Sequence, residues 1–115
     1  METWYSDNVK SGWIYAFTPR SRLNGQKILK VGMTVDVHER MKDYRGMNIP
    51  ETIFFKQIVP NRRLAENKLI AMCNQQFKLA PMGREWFFIP KNFNIKEFLV
   101  QYVRKYHKGF KGKSY

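Results

Sequence analysis

Two side chains of opposite charge lie in line with apolar helical neighbours, and each therefore needs company. Glu66 heads a run in which Leu69, Ile70, Cys73 and Phe77 follow at offsets of three, four, seven and eleven, so its carboxylate falls on a stripe that faces a core. Carboxylates are seldom buried unless paired, hydrogen-bonded or bound to metal. Three arrangements meet that need: an ion pair, for which Arg40 is a candidate; a side chain bent round to solvent near the helix start; or an oxygen-seeking metal ion. Arg40 stands beside Val37 and Tyr44 at helical spacing, at the edge of another apolar stripe, where an unpaired guanidinium is costly and an anionic partner is expected.

The elements that would position these groups follow from local pattern. Trp13, Tyr15 and Phe17 alternate with Ile14 and Ala16, and Ile28, Lys30 and Gly32 alternate with Leu29 and Val31, which predicts two strands. Pro19 and Asn24-Gly25 supply the turn chemistry of a hairpin with a basic loop. If that hairpin pairs around Arg22 and Leu23, Tyr15 and Lys30 become same-face neighbours across it. Gly32, at a strand end, marks either a bend or a place where another group comes close. Asp36 and Glu39 read as the capping box of a helix whose buried stripe is Val37, Met41 and Tyr44, closed by Arg45-Gly46 and barred by Pro50 from continuing.

Thr52 to Val59 is β-branched and aromatic almost throughout, which predicts a third strand covered on both faces or central in its sheet. Pro60 ends it, and Asn61 caps the helix that carries Glu66, running to about Phe77. Pro81 and Gly83 are turn residues; Trp86 and Phe87 read as core aromatics, and Glu85 as a partner for a nearby base. A last helix starts at Asn94, with Glu97 completing its box and Ile95, Phe98, Leu99, Tyr102, Val103 and Tyr106 on one face.

At 115 residues the chain fits one domain. A hydrophobic fraction of 43% excludes a disordered chain. No apolar run approaches a membrane span, and the first ten residues lack a signal peptide's apolar segment, so an intracellular protein is expected. Cys73 stands alone and reads as a small core residue, and it cannot make a standard zinc site with two separated histidines. The balance of 21 Lys and Arg against 9 Asp and Glu, a net charge of +12, favours a polyanionic partner, nucleic acid first. Arg20, Arg22 and Lys27 in the hairpin loop, Lys42 and Arg45 around the first helix, and Lys105, Lys108, Lys111 and Lys113 at the end are the expected phosphate contacts. Charge predicts attraction and says nothing of cleavage.

Trp13-Ile14-Tyr15, Lys30-Val31-Gly32, Arg40 eight residues further on, Tyr44 one turn later, and Glu66 within Ala65-Glu66-Asn67-Lys68-Leu69 together resemble the GIY-YIG nuclease superfamily. The likeness is nearest to a viral and phage branch whose second motif reads Lys-hydrophobic-Gly and whose core ends in Glu-Trp-Phe, here Glu85-Trp86-Phe87. The resemblance implies hydrolysis of phosphodiester bonds with one divalent cation, magnesium or manganese, held by Glu66. Arg40 would neutralise charge on the scissile phosphate, and Tyr15, aided by a neighbouring Lys30, would position or activate the attacking water, with Tyr44 close by. Lys30 stands where the wider superfamily has a tyrosine, and Met33 where its repair members have a lysine.

The resulting expectation is an α+β domain over residues 1–107, a small three-stranded antiparallel sheet in the order β-β-α-β-α plus a C-terminal helix, followed by a basic tail over 108–115. Its expected function is that of a viral or phage endonuclease acting on nucleic acid, with DNA foremost. A nuclease-like domain that binds DNA without cutting it, and a basic RNA-binding or packaging protein, are the alternatives.

Overall fold

Asn24 and Gly25 decide how the first hairpin closes. Both have positive φ, 51° and 77°, as a two-residue turn between antiparallel strands requires, and Leu23 and Gln26 exchange backbone hydrogen bonds of 2.9 Å in both directions across them. The structure is a computed structural model that describes residues 11–47 and 55–106. The turn lies further along the chain than one centred on Arg22 and Leu23, because Pro19 cannot donate to a ladder and the segment from Thr18 to Arg22 loops out. Strand β1 (Gly12–Phe17) therefore pairs with β2 (Lys27–Thr34) so that Tyr15 faces Gly32 and Phe17 faces Lys30. Lys30 is on the same face as Tyr15 but lies diagonally from it, and the expected direct pairing does not form.

Helix α1 (Val37–Met41) is a short piece that continues into a 3-10 segment, Lys42–Met47. Asp36 caps it by accepting from the Glu39 N–H at 3.1 Å. The reciprocal half of the box is made differently from the expectation: the Asp36 N–H donates to Thr34 Oγ1, and Glu39 binds Lys42 Nζ at 2.8 Å. Val37, Met41 and Tyr44 are half-buried, so the expected buried stripe is only a partial one.

Strand β3 (Phe55–Val59) pairs with β1, helix α2 (Arg62–Gln76) follows with Asn61 as its N-cap, and helix α3 (Ile95–Tyr106) closes the described chain. Between them two strands are added that the sequence pattern does not announce. β4 (Lys78–Leu79) and β5 (Trp86–Ile89) extend the sheet to five antiparallel strands in the order β3-β1-β2-β5-β4. The α+β class holds, and the three-stranded sheet is corrected to five. Among the described residues β3 stands at the sheet's edge and not at its centre; Thr52 to Phe54 and Pro50 lie outside the described residues.

Both sheet faces are covered. Ile14, Ala16, Leu29, Val31, Phe55, Val59 and Phe87 pack under α2 and α3, against Leu69, Ile70, Cys73, Leu99 and Tyr102. The Tyr102 hydroxyl donates to the Ala65 carbonyl at 2.9 Å and ties α3 to α2. On the other face Tyr15, Phe17, Ile28, Ala80 and Trp86 form a smaller cluster, roofed in part by Met41 and Tyr44.

Candidate active site

Gly32 has no side chain because the Tyr15 ring occupies that space. A Cβ on Gly32 would stand 2.5 Å from Tyr15 Cζ and closer still to its hydroxyl, so the close-approach reading of this glycine holds, with Tyr15 as the approaching group. Tyr15 is wholly buried, and its hydroxyl meets that of Tyr44 at 2.8 Å. Burial first, then this hydrogen bond, hold its pKa above the ordinary tyrosine value; Arg40 pulls the other way without prevailing. Tyr15 is therefore a neutral phenol at physiological pH. Lys30 is engaged elsewhere, so the expected help of Lys30 in ionising Tyr15 is not given.

Arg40 lies at the rim of this aromatic cluster. Its side chain is 43% exposed and pairs with Asp43 at 3.7 Å, so it stands further from the core than its spacing implies. Burial works to lower its pKa, but the facing hydroxyls of Tyr15 and Tyr44 and the Asp43 carboxylate outweigh that effect. Its expected ion pair with Glu66 does not form.

Glu66 is paired instead through Glu85. β5 pairs with β2 only as far as Lys30 and Trp86, while β2 runs on to Thr34, so the outer edge of β2 from Gly32 onward is left without a β5 partner. At this notch Lys30, which is 5% exposed, donates to Glu85 Oε1 at 2.7 Å. Its ammonium also lies 5.5 Å from the Trp86 ring and 6.0 Å from the Tyr44 ring. Glu66, 6% exposed on α2, shares a hydrogen bond with Glu85. Burial and then Glu85 push Glu66 up to about 7, against the pull of Lys30 and Arg84. Burial acts to raise Glu85 too, but its bonds to Lys30 and Glu66 win and hold it below the ordinary carboxyl value.

Two carboxyls that meet on one hydrogen bond need either a proton or a cation between them. Hard oxygen donors of this kind would suit magnesium or manganese, and Glu66 with Glu85 beside it could supply them. Among the described residues no third His, Cys, Asp or Glu joins them, and magnesium commonly keeps several waters in such a site.

Tyr15, Lys30, Arg40, Tyr44 and Glu66 are thus linked through direct contacts and charge into one cluster, with Tyr44 and Lys30 as the joint between its two halves. Glu85, read from the sequence as a partner for a nearby base, has Lys30 as that base and joins the cluster through it. Of the expected phosphate contacts, Arg20, Arg22 and Lys27 are exposed on the hairpin loop, Lys42 is held by Glu39, and Lys105 is exposed in the last turn of α3, 5.3 Å from the Tyr106 ring. Lys108, Lys111, Lys113 and the side chain of Arg45 lie outside the described residues. Among the described residues no helix is long and apolar enough to cross a membrane.

The family model of the T5orf172 domain matches residues 12–106, which takes in every element of the fold and the whole cluster. No curated protein and no solved structure matches the chain.

Proposed function

Because the chain belongs to the T5orf172 domain family, a phage-derived domain found in nuclease-like proteins, and because that domain here carries the cluster above, we propose that it is a GIY-YIG-type endonuclease. Its substrate on this reading is the phosphodiester backbone of DNA. The observation that supports this most is the joining of the Tyr15–Tyr44 hydroxyl pair to the Glu66–Glu85 carboxyls through Lys30, beside a half-open Arg40.

Arg40 offers a planar donor fork at the rim, suited to a phosphate's oxygens and to charge that grows on them. Tyr44, half-buried, presents a hydroxyl that Tyr15 orients from beneath; the pair positions a water, and proton removal falls to a group other than a buried neutral phenol. Glu66 and Glu85 would supply oxygen ligands to a divalent cation, and Lys30 keeps Glu85 ionised and in place. The chemistry supplied by a bound divalent cation is polarisation of the phosphodiester.

One observation favours a second reading. The Lys30 ammonium already sits against Glu85 as a built-in positive charge, so a domain that binds DNA without cutting it would have the same neutralised carboxyls. Nicking of supercoiled plasmid separates the two. Magnesium-dependent nicking that disappears in Glu66→Gln is the expected result; binding without nicking, unchanged by that substitution, would select the second reading.

A further inference from the structure

The groove at the hairpin end of the sheet, away from the cluster, has the character of a phosphate cradle. Lys27 at the start of β2 pairs with Ile89 at the end of β5, so two tight turns stand side by side there. One is the Asn24-Gly25 turn. In the other, the Phe93 N–H bonds to the Pro90 carbonyl at 3.2 Å, with Asn92 at φ 64° as the third residue of a type II turn requires. Between them lies a cavity of about 600 Å³ lined by Arg22, Gly25, Lys27, Lys91, Asn92 and Phe93 among others, with no acidic residue in its wall.

The ion pairs formed among the described residues, Lys30 with Glu85, Arg40 with Asp43 and Lys42 with Glu39, leave all three of these cations outside. Arg22, Lys27 and Lys91 are exposed. Nothing within 4 Å would meet a Cβ at Gly25, so the turn backbone is open to a ligand on that side. An arginine fork and two lysine point charges around amide groups fit the anionic oxygens of a phosphodiester. The edge of Phe93, fixed against Phe77 and Phe98, offers a sugar an apolar wall.

We infer that this groove binds the phosphodiester backbone of the nucleic acid to one side of the cluster, with Lys91 as its unanticipated member. Along β2, Lys27 lies three residues from Lys30, roughly 10 Å at the usual strand rise. That span matches about three base pairs of duplex at 3.4 Å each. The groove thus lies one short step along β2 from the notch, although Lys27 and Lys30 themselves face opposite sides of the sheet. The inference rests on the nucleic-acid reading above and does not depend on cleavage.

The test is the salt dependence of binding in EDTA, which removes cleavage from the measurement. A labelled DNA duplex, and an RNA duplex of the same sequence, are titrated by fluorescence anisotropy at several KCl concentrations. The protein is the wild type, the variant Arg22→Gln/Lys27→Gln/Lys91→Gln, or a control that removes the same charge elsewhere, Arg63→Gln/Lys78→Gln/Lys96→Gln. The slope of log affinity against log salt should fall by about 2 to 3 in the groove variant, at roughly 0.9 per phosphate contact, and by less than 1 in the control. A matching loss on the RNA duplex alone would assign the same groove to RNA. Equal losses in the groove variant and the control, with thermal melts confirming both are folded, would overturn the inference. Plasmid nicking by the groove variant at low salt reports separately on the cluster, so failure of one proposal leaves the other standing.

Discussion

At the residue scale, the clearest commitment is the fit of Tyr15 over Gly32. Gly32→Ala would drive a methyl group into the ring at 2.5 Å from Cζ, and overpacking of this kind costs about 1–3 kcal/mol, readable as a lower urea midpoint with an unchanged slope. Tyr15→Leu in the same chain should recover part of that loss, and purely additive effects would show that the two do not press on each other. Glu66 carries a pH signature. Its pKa in the fold is about 7 against an ordinary 4.5, so its share of stability is full below about 4.5 and is lost as pH rises through 7. Glu85, held low, acts in the opposite sense: its share is present above its ordinary value and lost on acidification. The two titrate as a pair. Urea melts should therefore show the wild type losing stability relative to Glu66→Gln between pH 4.5 and 7, and parallel curves would refute the coupling. Any metal-dependent cleavage should rise over the same interval, since a cation must displace that proton. Glu66 was legible in sequence because one acid interrupts an apolar stripe at helical spacing. Its pairing with Glu85 was not, because Glu85 reaches it from the turn leading into a strand whose existence no periodicity announces.

At the element scale, the caps were the most readable features, and they carry measurable stability. Asn61 Oδ1 accepts from the Leu64 N–H at 3.0 Å, so Asn61→Ala should cost about 1 kcal/mol in equilibrium unfolding. Tyr102→Phe, which removes the bond to the Ala65 carbonyl while keeping the ring, should cost a similar amount; no loss in either would mean that α2 is positioned by packing alone. Strand β5 escaped pattern reading for a definable reason. Phe87 and Ile89 face the main core while Trp86 and Phe88 face the smaller cluster, so both sides are apolar and no alternation of period two survives. The hairpin register failed differently. Asn24-Gly25 reads as turn chemistry, yet a pairing centred on Arg22 and Leu23 is one residue short of the observed centre, and that single step moves every partner by two, putting Gly32 where Lys30 is expected opposite Tyr15. Such a shift preserves which face each side chain takes, and for that reason the cluster still assembles.

At the scale of the whole molecule, 21 basic and 9 acidic side chains on 115 residues make the folded state repel itself. Several of the acids are already committed: Glu85 to Lys30 and Glu66, Glu39 to Lys42, and Asp43 to Arg40, so they do little to shield the remaining cations. Charge of one sign is screened over about 10 Å at 0.1 M salt. Raising NaCl from 10 to 200 mM should thus stabilise the fold, and a gain of about 1 kcal/mol would appear as a Tm higher by about 4–8 °C for a domain near this size. A duplex DNA that occupies the basic surface should add a second, concentration-dependent rise at low salt that vanishes at high salt, because binding to the native state alone stabilises it by mass action. The two effects have opposite salt dependence in one set of melts, which is what makes the experiment decisive. A Tm that falls with added salt and ignores DNA would mean that local ion pairs dominate the charge balance and that the excess of lysine and arginine is not matched to a polyanion.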